Sequence, residues 1–399
     1  MPTRHRIIPT LLAFALLGGS AAAMAQAPAN THTRTIDKTE AVTPATQVTV
    51  ENLVGRVEIT QGGEQLAIHA NVVAGGEDAA AAEALANTVK LDVSRDGNRL
   101  TVHVNYPVDD HDSYRYIPTS SKPGQHKDCS VHILGFRIGS CSSSSWLRYQ
   151  GRQVHVYQGR DEGVPLHVDL TLKLPAGADV KVVNQIGFVH AKGLHNTLAL
   201  QTDSGDISTS DTSGDLRITA DSGDVQTVDH KGPATLHTDS GDVTLRHVTG
   251  NINVDTDSGD LTGEDLHGAV LALHTDNGDI RLHGISGELK ISTDSGDIDL
   301  SHVQQVSRTR INTDNGDIRM SGDLSGMHDF HIATDSGDIR LSTSTPPAVH
   351  LDIEADDVDV TWPGLHNVQI QHDSYRGDVG AASGSGRIST DSGDVTLSR

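Results

Sequence analysis

Leu289-Lys290-Ile291-Ser292-Thr293-Asp294-Ser295-Gly296-Asp297-Ile298-Asp299-Leu300 decides how this chain folds. Side chains alternate across a strand, so Leu289, Ile291 and Thr293 share one face while Lys290 and Ser292 take the other. Turn-forming residues follow, and then a second alternating piece, Ile298-Asp299-Leu300. The preceding copy keeps the same register, with Leu271, Leu273 and Thr275 before its turn and Ile280 and Leu282 after it.

The string Thr-Asp-Ser-Gly-Asp followed by an aliphatic residue recurs with its glycine at Gly205, Gly241, Gly259, Gly296, Gly337 and Gly393. Asn replaces Ser in the copies at Gly278 and Gly316, and Ala220 replaces Thr in the copy at Gly223. From Gly205 to Gly337 the spacings are 18, 18, 18, 19, 18, 20 and 21 residues. A weaker copy lies at Gly187, and degenerate ones at Val358 and Gly377 fill the gap before Gly393. A second glycine follows nine residues after several of these, at Gly214, Gly232, Gly250, Gly268 and Gly287. Each repeat is then one coil with two turns and two short strands. The fold class expected is all-β, a single-chain parallel β-solenoid of about 12 coils of 18–21 residues. Coils about 4.8 Å apart make a rod of roughly 50 Å.

In the turn, the first Asp is expected to accept from its own backbone two residues on, and Gly to supply a positive φ. The register also stacks Asp239, Asp257, Asp276 and Asp294 in one column and Asp242, Asp260, Asp279 and Asp297 in another. Like charges at that spacing repel by about 0.9 kcal/mol per neighbour even in water. Backbone amides donating to the carboxylates are the expected answer, and calcium shared between coils is the alternative.

The 399 residues carry 53 acidic and 30 basic groups, a formal charge of −23, and only 12 aromatics (2 Trp, 6 Tyr, 4 Phe) against 40 Gly. Only ten of the acids are Glu, and Asp suits turns where Glu suits helices. This composition argues against a helical bundle and against a conventional large aromatic-anchored core. It also argues against nucleic-acid binding, which needs a basic footprint.

Residues 1–25 read as a secretory signal: Arg4 and Arg6, an apolar stretch from Ile7 to Leu17, and the small-x-small site Ala23-Met24-Ala25. The apolar stretch is shorter than the roughly 20 residues that span a bilayer, and no transmembrane segment is expected in the mature chain. With no Cys just after the cleavage site, no lipid anchor is expected either. The product is expected to be periplasmic or secreted, the alternative being an uncleaved N-terminal anchor. In that compartment Cys129 and Cys141 read as a disulfide rather than as metal ligands, since CxxC spacing is lacking.

Residues 26–47 are polar and Thr-rich and read as a flexible leader. Residues 48–104 read as N-terminal strands with one helix, Glu77 to Val89, that covers an open end of the sheet. Residues 105–160 hold seven of the aromatics, Tyr106, Tyr114, Tyr116, Phe136, Trp146, Tyr149 and Tyr157, and read as an insertion stapled at 129 and 141. Residues 161–399 are the repeats. Deleting 110–155 is expected to leave the rod folded and to remove partner binding. The other reading is that Tyr106, Phe136 and Trp146 only pack the insertion onto the solenoid's flank.

The repeated Thr-Asp-Ser-Gly-Asp-Ile and Leu174-Pro175-Ala176-Gly177-Ala178-Asp179-Val180 resemble the bacterial β-strand-repeat "putative adhesin" family, the toastrack domain. The resemblance covers most of residues 48–399 apart from 105–160. It implies the solenoid fold and supplies no catalytic residues.

Asp-Ser-Gly superficially looks like an aspartic-protease turn, but that chemistry needs two special carboxylates sharing a site, and here the string is repeated. No Gly-x-Ser-x-Gly elbow occurs. Parallel β-helix polysaccharide lyases use basic residues in a groove, and no singular Arg/Lys cluster stands out in the sequence. His328 and His331 have two-ligand spacing, while His237 and His274 fall at outward parity and read as a solvated face. The Thr row (Thr238, Thr256, Thr275, Thr293, Thr313) has inward parity, which argues against an ice-binding ladder. The candidate structural residues are therefore Gly205, Gly223, Gly241, Gly259, Gly278, Gly296, Gly316, Gly337 and Gly393, with no cofactor and no catalytic residue. The expected function is an exported, non-enzymatic binding or adhesion module of the envelope with an unidentified partner. A calcium-dependent β-roll and a carbohydrate-active β-helix enzyme are the alternatives.

Overall fold

The computed structural model describes residues 30–116, 131–133, 136–138, 144–158, 162–371 and 374–399, with 131–133 and 136–138 as backbone strands. The signal-like segment and both cysteines, Cys129 and Cys141, lie outside the described residues. The fold is all-β with mostly parallel pairing, and one helix occurs among the described residues.

Repeats stack in parallel, each on the next. Ile252–Ser258 lies beside Ala234–Ser240, with Val254 opposite Leu236 and Thr256 opposite Thr238. Beyond the turn, Val243–Thr249 pairs with the first part of Leu261–Asn277. Leu236, Thr238, Val243 and Leu245 point inward and are buried. From Thr275 onward the inward threonines of the motif also hydrogen-bond along the stack, whereas the buried hydroxyls of Thr238 and Thr256 have no such partner among the described residues. Thr275, Thr293, Thr313, Thr334 and Thr390 donate their hydroxyls to the carbonyl of a turn glycine one rung away, at 2.9–3.2 Å. At these five rungs a β-branched residue thus fills the narrow core and satisfies its own polar atom.

The second strand of a coil is bent rather than straight. Asp211, Asp229, His247, Asp265 and His302 have φ of 50–54°. Each such residue shifts the side-chain parity, so that Leu245 and Val248 on either side of His247 are both buried. Asp and His are among the few non-glycine residues that tolerate this conformation. The two-strand coil read from sequence therefore has an additional corner.

Residues 30–40 correct the expectation of a flexible leader. Asn30–Glu40 is a strand, antiparallel to Leu66–Gly76 along its whole length. Its side chains are mostly exposed, so backbone pairing and β-branched Thr hold it rather than apolar burial, and composition alone gave no signal. The helix Ala79–Thr88 packs on these two strands through buried Ala82 and Ala86. Asp78 caps its start by accepting from the Ala81 amide at 2.7 Å, and Arg34 donates to the Ala86 and Val89 carbonyls at its end.

Stacking order departs from chain order at both ends. Gln47–Val54 and Val57–Gln61, joined at Gly55, form a rung directly against Asp179–Ile186 and Val189–Lys192. Buried Asn52 donates to the Asn184 side chain at 2.9 Å across 132 residues of sequence, and Asn184 donates to the Gly55 carbonyl at 2.9 Å. At the other end, Gly384–Ser392 and Asp394–Ser398 lie between two rungs that precede them in the chain. They pair on one side with Asp329–Ser336 and Ile339–Ser342, and on the other with Val349–Glu354 and Asp357–Val360. Gly377 is consequently not a coil turn. It lies in Ser374–Val379, antiparallel to Val349–Glu354, with Leu365–Gln371 outermost. The regular spacing suggested a coil there, but sequence spacing does not determine which rung stacks on which.

Candidate functional site

The turn glycines form one column. Gly205, Gly223, Gly241, Gly259, Gly296, Gly316, Gly337 and Gly393 have φ of 145–159°. A Cβ built on any of these, or on Gly278, would come within 2.0–2.4 Å of the carbonyl oxygen of the glycine one rung away. Gly278 lies outside the left-handed range and needs glycine for this contact alone. From Gly205 to Gly337 each amide in the column donates along the stack, as Gly241 does to the Ser258 carbonyl at 2.9 Å.

That direction corrects the expected turn chemistry. The backbone does not fold back onto the first Asp, because the glycine amide two residues on points to the next rung. The second Asp is the acceptor instead. Asp224, Asp242, Asp260, Asp279, Asp297, Asp317, Asp338 and Asp394 each donate their amide to the carboxylate of the preceding Asp in the column at 2.8–3.0 Å, starting from Asp206. A carboxylate accepting an amide is stabilised as the anion. In the C-terminal half, arginines add to this. Arg281 bridges Asp260 and Asp279, Arg319 bridges Asp297 and Asp317, and Arg340 bridges Asp317 and Asp338. The equivalent position one, two and three rungs earlier holds Thr262, Thr244 and the buried Gln226.

The uncompensated end of the column is where carboxylates are hardest to ionise. Burial pushes the Asp206 pKa up to about 6, the Asp224 amide opposes this, and the Asp224 charge adds to it. Asp203 is likewise pushed up to about 6 by burial and by Asp221. Gln185, with its amide turned to donate, lies 2.9 and 3.2 Å from that carboxylate and opposes the rise, so Asp206 is the sharper case. A carboxyl whose pKa is raised by folding gives stability present below its ordinary value of 3.8 and lost as pH rises through about 6. Asp206→Asn, which keeps the acceptor for the Asp224 amide, is therefore expected to stabilise the protein at pH 7.5 by about 2 kcal/mol and to have little effect at pH 4. Denaturation of both proteins at the two pH values checks this, and an equal shift at each would contradict it.

The described parts of residues 105–160 at Tyr106, Ser113–Tyr116 and 144–158 are pinned, not appended. Ser144–Tyr149 and Arg152–Gln158 form a hairpin that turns at Gln150 and Gly151, both at positive φ. Arg152–Gln158 pairs with Ser113–Tyr116, which pairs in turn with the start of Val164–Leu174. Tyr106 meets Tyr114 and Tyr149 edge-on with ring centres 5.5 and 5.9 Å apart. The Tyr106 hydroxyl donates to Val54 at 2.8 Å and that of Tyr149 to Val104 at 2.6 Å. These tyrosines belong to the main core, so deleting 110–155 would open it, contrary to the sequence expectation. Trp146 behaves differently. It is 65% exposed, stacked on His155 with ring centres 4.2 Å apart, beside a hollow formed with Arg148, Gly151 and Gln153. The Phe136 side chain and the proposed 129–141 staple are outside the described residues.

A groove of about 560 Å³ runs along the outer face of the repeats. Short Ala272 and Ser292 line it, and Lys290, Arg308, Arg310 and His331 stand around it. No Arg/Lys cluster stands out in the sequence because Lys290, the Arg308/Arg310 pair and His331 are separated by a coil each, and parallel register is what brings them together. Among the described residues no group of three or more His, Cys, Asp or Glu side chains is placed to hold a metal ion. His237 instead lies 3.3 Å from both Asp239 and Asp255, while His274 bonds Ser292 and Asp276 at 2.9 and 3.0 Å.

The family model described as Toastrack DUF4097 matches residues 47–251 and again 234–398. No curated protein matches the chain. Among solved structures, the chain is similar to a "putative cell adhesion protein" from Clostridium sporogenes, at 8% identity over 92% of this chain and 99% of that one, with a TM-score of 0.17. It is also similar to a "putative adhesin" from Bacteroides fragilis and a "putative lipid binding protein" from Parabacteroides distasonis. Each is 11% identical over 92% of this chain and 97% of the other, with TM-scores of 0.26 and 0.27. Overlaps this low bear on neither ligand nor mechanism.

Proposed function

Because the chain belongs to the Toastrack DUF4097 family, we propose that it is an exported, non-enzymatic β-solenoid serving the cell envelope as a binding or adhesion module. In this reading residues 1–25 are removed on export, about 12 coils make up the rod, and the helix Ala79–Thr88 closes one end. The observation that supports recognition is Trp146, a large aromatic held out in solvent by a sheet whose own tyrosines are buried in the core. Exposed aromatics on a rigid support offer contact area at low entropic cost.

The test uses the mature protein and its Trp146→Ala variant as bait in envelope extract. Because the indole is exposed, the substitution is expected to change stability by less than about 0.5 kcal/mol while abolishing retention of the partner. Equal retention by both proteins would remove Trp146 from the site. Turnover of an acidic glycan by the purified protein would replace the binding module with an enzyme.

A further inference from the structure

We propose that the outer face of the repeats binds an unbranched acidic polysaccharide along the row Lys290, Arg310, His331 and Arg387. The inference rests on the reading of the chain as a binding module, but not on Trp146. The four residues are direct register neighbours on consecutive strands: Lys290 opposite Arg310, Arg310 opposite His331, and His331 opposite Arg387. All point outward, between buried Leu289 and Ile291, Thr309 and Ile311, Phe330 and Ile332, and on either side of Arg387, Gly386 and Ile388. The row therefore presents a cationic or protonatable group about every 4.8 Å along the stack.

Like charges directly across a strand pair are destabilising, and a chain of formal charge −23 has acids to spare for separating them. Two members are partly offset, Lys290 by Glu288 at 3.4 Å and Arg387 by Glu354 at 3.2 Å. Arg310, in the middle, makes no ion pair among the described residues. Burial first, and then the charges of Arg310 and Arg387, hold the His331 pKa below its ordinary value, in keeping with a positive local potential. Glu288 and Asp329 stand on the same rim of the groove, with Asp329 opposite Arg308. They lie two residues from the row, on its side away from the turns.

The shape of the ligand follows from what flanks the row. Four residues towards the turn stands the first Asp column, Asp294, Asp314, Asp335 and Asp391, roughly 13 Å away along the strand. A broad polyanion such as a nucleic-acid duplex would press phosphates against that column. A single thin chain with one anion per unit can follow the row and stay clear of that column. It runs along the stack rather than across it, with Asn312 of the groove wall available to its hydroxyls.

Isothermal titration of the mature protein with oligogalacturonate, against neutral dextran of equal length, tests this. Binding is expected for the uronate alone, weakening with salt as cation–anion contacts do. The double variant Lys290→Gln/Arg310→Gln is expected to lose at least tenfold in affinity, and Arg310→Lys to keep most of it. Arg217→Gln removes an outward cation whose register neighbours are Ala199 and Thr235, and it should bind like wild type. Unchanged circular dichroism and melting of the double variant separate lost binding from lost fold. Wild-type affinity in that variant overturns the proposal, as does binding of anionic phospholipid vesicles without binding of the uronate. Capture of an envelope partner through Trp146 with no uronate binding would overturn this inference alone and leave the binding-module reading in place.

Discussion

Gly259→Val is expected to destabilise the protein by about 3 kcal/mol or more and to lower its midpoint in urea accordingly. Two effects add at this position. The backbone sits at φ 155°, where a β-branched residue is strained by roughly 1–3 kcal/mol. The new Cβ would also lie 2.1 Å from the Gly241 carbonyl oxygen. Both groups are backbone, so no side chain can swing aside and the two rungs must part. Gly97 isolates the first effect: it has φ 60° in an exposed turn, with nothing within 4 Å of its would-be Cβ. Gly97→Ala is expected to cost only about 1 kcal/mol. Equal losses at the two sites would show that rung-to-rung contact is not what demands glycine.

Truncation after Ser383 is expected to be the most damaging change. It removes the buried Ile388, Val395 and Leu397, each worth roughly 1.5–3 kcal/mol, and it exposes the rungs on both sides of the gap. Phe330 loses the space it fills against Gly386, whose Cβ position lies 2.2 Å from its ring. Trp362 reports the event. Its indole, 3% exposed, donates to the Ser398 carbonyl at 3.1 Å and should shift to red emission in the truncated chain, since Trp146 is already exposed. An unshifted emission together with wild-type melting would mean that the rungs close over the gap without this segment.

Much of the interior was legible because each coil repeats one local rule. Alternation placed Leu289, Ile291 and Thr293 inward, and the structure buries all three. The amide answer to the Asp columns was also legible, although it falls on Asp242 and its equivalents rather than on Asp239. What sequence left hidden depends on neighbours in space. The strand Asn30–Glu40 has no apolar face to announce it, and the corners at Asp229 and His247 interrupt alternation without a glycine. The basic row did carry a signal. Lys290, Arg310, His331 and Arg387 all stand four residues before the first Asp of their motif, where earlier repeats have Ala199, Arg217, Thr235, Asn253 and Ala272, a single cation with no charged neighbour in register. Aligning the repeats by motif, rather than scanning the chain for clustered charge, would have exposed it.

The out-of-order rungs bear on how the chain reaches its native state. Interior rungs join residues 18 apart, whereas the outer ones join residues 56 and 132 apart. Closing a longer loop costs about (3/2)RT ln of the length ratio, so the two ends are later to form by roughly 1 and 2 kcal/mol of chain entropy. Nucleation belongs to the middle, where contacts are local. Until both ends close, the half-built sheet presents open strand edges to other molecules. The window for self-association is therefore set by the lifetime of that intermediate, and substitutions in Gly384–Ser392 or Gln47–Val54 would lengthen it even where they leave the finished protein stable.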